Sequence, residues 1–139
     1  MSYTKRLEEE MSAWPNVSAH PHRFAAREFL FGDAELGHVH MGGIVDVPFP
    51  LAIRDALLEH RLAEEHRWVP NSGWITFRMH SEQDQHALWL MRLSYLRYAL
   101  KTASDPRKLL DQESDRLRLN PRFRDLLGQF VPRKAESAA

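Results

Sequence analysis

Residues 35–49 alternate between two kinds of side chain. Val39, Met41, Val45, Val47 and Phe49 are apolar at the odd positions, while the even positions offer His38, His40, Gly42 and Asp46. A period of two is that of a β-strand or hairpin, with one face turned to a core and the other to a ligand or solvent. The second face carries two imidazoles and a carboxylate, so it is the first candidate site. Gly37, Gly42 and Gly43 lack the lysine and helix N-terminus of a phosphate loop and read instead as bulge or turn residues.

The flanking sequence supplies the rest of an α+β domain. Residues 2–14 form an expected amphipathic helix, with Ser2 as cap and Leu7, Met11 and Trp14 on one side. His20-Pro21-His22 reads as a loop, and residues 27–31 as a strand that turns at Gly32-Asp33 into the alternating run. A helix is expected from Phe49-Pro50 to about Leu62, with Ile53, Ala56, Leu57 and His60 on one side. A strand over 64–69 and a turn at Pro70–Gly73 follow. Residues 74–80 then alternate again, with Ile75, Phe77 and Met79 inward and Trp74, Thr76, Arg78 and His80 outward. Ser81-x-x-Asp84 resembles a capping box opening the longest helix, about 82–103. Its apolar residues, Trp89 among them, belong to the core, and Arg92 and Arg97 snorkel from it. Asp105-Pro106 and Asn120-Pro121 each set an N-cap before a proline, which starts helices at 106–117 and 121–129. The expected fold is therefore a small antiparallel sheet with helices packed on one face and a helical C-terminus, a single domain over 1–132 with a flexible tail.

Composition removes several function classes. Nineteen Lys and Arg balance nineteen Asp and Glu, which argues against a broad basic surface for nucleic acid. Without cysteine there are no disulfides, thiolate nucleophiles or Cys-rich zinc sites. No apolar run reaches the ~20 residues that span a bilayer, and the N-terminus has no secretory h-region, so a cytoplasmic protein with no membrane partner is expected. Dinucleotide fingerprint, nucleophile elbow and H-E-x-x-H motifs are all missing.

His38 and His40 lie ~6–7 Å apart along one strand face. They could share a divalent metal if a neighbouring strand adds Asp46, His66 or His80. Imidazole and carboxylate suit zinc, iron, nickel or manganese. The plainer alternative is histidines hydrogen-bonded on an open sheet face. The ligand-binding candidates are His38, His40, Asp46, Trp74 and Glu35; the metal-ligand candidates are His38, His40, His66 and His80. Glu35 sits beside the turn, where a carboxylate often bonds backbone N–H groups. Trp68, Trp74, Trp89, Tyr95 and Tyr98 could cradle a flat ligand, while His20, His22, His60 and His86 read as ordinary surface or core-edge histidines.

Trp14-Pro15, Glu35-Leu36-Gly37-His38-Val39-His40, Asp46-Val47-Pro48-Phe49, His66, Ser72-Gly73-Trp74 and Ala87-Leu88-Trp89-Leu90 with Leu93-Ser94-Tyr95 form a pattern over about residues 14–100. It resembles the luciferase-domain family of small bacterial and fungal proteins. The resemblance implies a shared fold and a shared histidine-bearing site at Glu35, His38, His40, Asp46, His66 and Trp74. The family label does not imply light emission. A flavin-dependent luciferase needs a (β/α)₈ barrel of ~250 residues, and a hydrolase-fold luciferase needs a nucleophile elbow. The C-terminal half is more loosely similar to double-wing α+β proteins proposed to bind DNA. Arg107, Lys108, Arg116, Arg118, Arg122 and Arg124 would serve that alternative, a nucleic-acid- or protein-interaction module, but acids interleave with them. The expected function is a small module that binds a small molecule or a divalent metal.

Overall fold

A computed structural model describes residues 3–23, 26–80 and 84–133. The chain divides into two compact units, Met1–Ser94 and Tyr95–Ala139. Helix α1 (Tyr3–Met11) leads into strands β1 (Val17–Pro21), β2 (Arg27–Phe31), β3 (Ala34–Val39) and β4 (Ile44–Pro48). Helix α2 (Leu51–Glu59), strands β5 (Glu64–Glu65) and β6 (Trp74–Arg78), and helices α3 (Asp84–Thr102), α4 (Pro106–Arg116) and α5 (Pro121–Gly128) complete the order. Helix α3 begins in the first unit and ends in the second.

The described strands form one antiparallel sheet in the order β1-β2-β3-β4-β6-β5. Phe29, Val39, Val45, Val47 and Ile75 are fully buried on one face. Leu7 and Met11 of α1, Ile53, Ala56 and Leu57 of α2, and Ala87, Leu90 and Met91 of α3 are buried as well and complete the apolar core of this unit. Each such aliphatic or aromatic side chain contributes about 1.5–3 kcal/mol by leaving water. A one-residue slip of any central strand would turn that set outward, so the register is firmly specified.

The hairpin between β3 and β4 turns through Met41–Gly43, closed by the His40 N–H donating to the Ile44 carbonyl at 2.8 Å. Met41 therefore stands 71% exposed in the turn and is not inward, as strict alternation had it. Between β2 and β3 the register shifts: Phe29 pairs with Gly37 and Leu30 with Glu35, which leaves Leu36 as the extra residue of a bulge. The freed Leu36 carbonyl accepts a bond from the buried Ser94 hydroxyl of α3 at 2.8 Å. Gly37 is required by close approach, since a Cβ there would lie 2.9 Å from the Asp46 carbonyl oxygen and 2.9 Å from Met91 Sδ.

Several boundaries differ from the sequence reading. His20 and Pro21 lie in β1, not in a loop; an edge strand tolerates a proline because one row of its N–H groups has no ladder partner. The expected strand 64–69 shrinks to the two residues of β5, and His60 is exposed past the end of α2. Trp89 is half-buried and stacked on His86 at 5.4 Å, outside the core proper. Arg97 does not snorkel: it is 9% exposed, its guanidinium 4.8 Å over the Tyr98 ring. The Ser2 cap, the Ser81-x-x-Asp84 box and the tail beyond Arg133 lie outside the described residues. The two proline-led helices start as expected, with Asp105 accepting from the Lys108 N–H and Asn120 from the Phe123 N–H. In the second unit Leu110, Phe123, Leu127 and Val131 are buried.

Gly73 offers a test of how β6 is seated. The Phe49 N–H donates to the Gly73 carbonyl at 2.9 Å, and a Cβ on Gly73 would stand 2.0 Å from the Phe49 carbonyl oxygen. Gly73→Ala is expected to destabilise the protein by about 1–3 kcal/mol or more, as overpacking against backbone does. Urea denaturation that shows an unchanged midpoint would contradict this seating.

Candidate metal and ligand site

One row of directly paired residues crosses all six strands: His20, Glu28, His38, Asp46, Thr76 and Glu64. Residues opposite one another share a face, so the ladder gathers a polar row on the side of the sheet away from the apolar core. Its centre is Asp46, 4% exposed. Thr76 donates its hydroxyl to Asp46 Oδ1 at 2.7 Å. The other oxygen, Oδ2, lies 2.8 Å from His40 Nε2, 3.2 Å from His38 Nε2 and 3.6 Å from His66 Nε2.

The bulge explains how Glu35 joins this group. An odd spacing of three along a regular strand would put Glu35 and His38 on opposite faces, but the extra residue Leu36 restores them to the same one. Glu35 Oε1 accepts from His38 Nδ1 at 3.2 Å. Each nitrogen of His38 thus meets a carboxylate. Burial pulls the His38 pKa down, but its bonds to Asp46 and Glu35 and their charges outweigh this and raise it to about 9. For Asp46, burial pushes upward, while bonds from His38, Thr76 and His40 and the charge of His66 hold it well below the usual carboxylate range.

Among the described residues, two groups bring three ligand atoms within 4.8 Å of one another: His38, His40 and Asp46, and His22, Glu35 and His38. Asp46 is thus the third member beside the His-x-His pair. His66 is oriented differently. Its Nδ1 faces the Trp68 N–H at 3.2 Å, which turns Nε2 toward Asp46, 3.6 Å from Oδ2. His80 is exposed and lines a separate groove with Arg78 and His86, and it is not in either group.

The aromatic residues divide. Trp74 leans on His38 at 5.3 Å and His66 at 6.1 Å, while Trp68 stands 77% exposed on the loop beside His66. Trp89 stacks on His86, and within the second unit Tyr98 lies beside Arg97 and Lys101. His22 was missed: it stacks on His38 at 4.7 Å with rings 10° from parallel. The signal was the strand register of β1, which places the chain after Pro21 beside β2. Asp46, His40 and His66 also form the wall of a cavity of about 250 Å³, together with Ile44, Arg67, Trp68, Thr76 and Arg78.

The raised pKa of His38 has a sign that can be measured on metal-free protein. A group held protonated in the fold contributes stability that is full below its ordinary value near 6.5 and is lost as pH rises through about 9. The stability difference between the wild type and His38→Gln is therefore expected to shrink between pH 6.5 and 9. Thermal melts that show a difference independent of pH over that window would contradict the assignment.

No curated protein and no solved structure matches the chain. No helix among the described residues is long and apolar enough to cross a membrane. Residues 33–94 match the family model described as the luciferase domain. That stretch runs from the turn before β3 to Ser94 of α3, and so takes in Glu35, His38, His40, Asp46, His66 and Trp74. Over these residues, a little under half of the chain, the protein is similar to the luciferase-domain family.

Proposed function

We propose that the polar sheet face binds one divalent transition metal through His38 Nε2, His40 Nε2 and Asp46 Oδ2, and presents it to a small ligand in the adjoining cavity of a cytoplasmic protein. The observation that carries this reading is the convergence of the three atoms, with Asp46 Oδ2 at 3.2 and 2.8 Å from the two ring nitrogens. Donor atoms that each sit about 2.0–2.2 Å from a shared ion are themselves about 3 Å apart.

The surroundings fit the same role. A metal-binding imidazole usually donates its other N–H to a carboxylate, which fixes the tautomer and makes the ring a better donor. Glu35 holds His38 Nδ1 in that way. Thr76 occupies Asp46 Oδ1 and leaves Oδ2 for coordination. Two histidines and one carboxylate leave positions open, and they suit iron, zinc, nickel or manganese. A metal held so would polarise a ligand oxygen or lower the pKa of a bound water. In this reading Trp74 braces His38 and His66 holds the Asp46 charge, while His80 contributes nothing to the metal.

The alternative, a nucleic-acid or protein interface on α4 and α5, has less to support it. Arg116 is bonded twice to Glu113, at 2.8 and 3.0 Å, and Arg124 to Asp111, so two of its six cations are already engaged with acids.

Elemental mass spectrometry of tag-free protein, dialysed against zinc, iron, nickel and manganese in turn, tests the metal reading. Near-stoichiometric metal is expected, and it should be lost in His38→Ala/His40→Ala, which should keep a cooperative thermal transition at a lower temperature. Glu35→Gln keeps the ligand set and is expected to weaken metal affinity about 10–100-fold. Metal at background for all four ions would overturn the reading.

A further inference from the structure

We propose that the cavity beside Asp46 binds a small organic anion, its charged head held by Arg78 and Arg67 and its apolar ring against Trp68 and Ile44. As the substrate class of the metal site this rests on the reading above; as anion binding it is measurable without metal.

Arginines of the first unit differ in what their charge meets. Arg27 is bonded to Glu8 at 2.6 Å, and Arg54 to Asp55 and Glu65 at 2.9 and 3.0 Å. The Arg78 side chain has no hydrogen bond or ion pair among the described residues, and that of Arg67 has only its contact over Trp68, 5.9 Å from the ring centroid. Both line the cavity of about 250 Å³. Asp46, the carboxylate in that wall, is bonded by Thr76 and His40, and its ion pairs are with histidines and not with either guanidinium. Among the described residues, then, no acid pairs with either guanidinium in the cavity wall, and a planar guanidinium pairs best with a carboxylate or phosphate.

Alternation along β6 puts Thr76 and Arg78 on the same face, and Arg78 pairs across the ladder with Ile44. An anion on Arg78 would therefore lie beside an aliphatic wall, with the exposed indole of Trp68 available on the other side. The volume is below the ~300–1,000 Å³ of sites for drug-sized ligands, which favours a single-ring acid. Asp46 and His40 share the cavity wall with Arg78, so the rest of such a molecule would face the proposed metal. A larger groove of about 690 Å³ also includes Thr76 and Arg78 in its wall, so Arg78 is reached from both concavities.

Isothermal titration of chelator-treated full-length protein with benzoate, phenyl phosphate and benzamide tests the proposal, followed by the same series on zinc-loaded protein. At least one anion is expected to bind at least tenfold more tightly than benzamide, and the stronger of the two identifies the head group. Arg78→Gln should reduce that affinity at least tenfold with an unchanged thermal transition, and Arg78→Lys should recover part of it. Equal binding of benzamide, no binding of either anion, or an unchanged Arg78→Gln would overturn the proposal. Arg78-dependent anion binding in protein that takes up no metal would leave it standing and remove the metal reading alone. Metal uptake without anion preference would do the reverse.

Discussion

Taking the Asp46 carboxylate out of water costs several kcal/mol unless the protein replaces the lost solvation. The sheet does so with one hydroxyl and three ring nitrogens, from Thr76, His40, His38 and His66. These groups come from β3, β6 and the segments that follow β3 and β5, so the carboxylate on β4 ties together elements far apart in sequence. A group so enclosed is poorly placed to add stability over an apolar side chain of the same shape. Its value is in specificity and chemistry: it gathers imidazoles on one face and keeps an oxygen directed at them.

The apolar face makes that arrangement affordable and permanent. Fully buried Val45 and Val47 flank Asp46 on β4, so the strand cannot rotate the carboxylate outward without exposing both. The Leu36 bulge is the second device. It shifts Glu35 onto the face of His38, and Ser94 of α3 satisfies the carbonyl that the bulge exposes. One side of the sheet thereby sets the geometry of the other.

Much of this was legible in the sequence. Alternation over 35–49, broken only at the Met41 turn and the Leu36 bulge, and over 74–79 gave the strands, most inward residues and the outward His38, Asp46, Thr76 and Arg78. Proline after a capping residue marked α4 and α5. What alternation could not yield was any feature that breaks its own period or depends on a distant strand. Glu35 and His38 have the wrong parity for one face until a bulge is known. His22 looks like an ordinary loop histidine until β1, an edge strand carrying a proline, is paired with β2. The placement of His66 turns on a ring orientation set by the Trp68 N–H. Trp89 and Arg97 exchanged their expected surroundings because α3 is apolar around most of its circumference, and periodicity then cannot say which side is the wetter one.

The proposed metal site requires His38, His40 and Asp46 to close around a single ion. X-ray absorption at the zinc edge on zinc-loaded protein tests it most directly. Expected is a first shell of nitrogen and oxygen at about 2.0–2.1 Å, with the outer-shell scattering of two imidazoles that falls away in His38→Ala/His40→Ala. A shell of water oxygens alone, or an imidazole signal unchanged in the double variant, would place the metal elsewhere and leave the Asp46 cluster as a purely structural hydrogen-bond network.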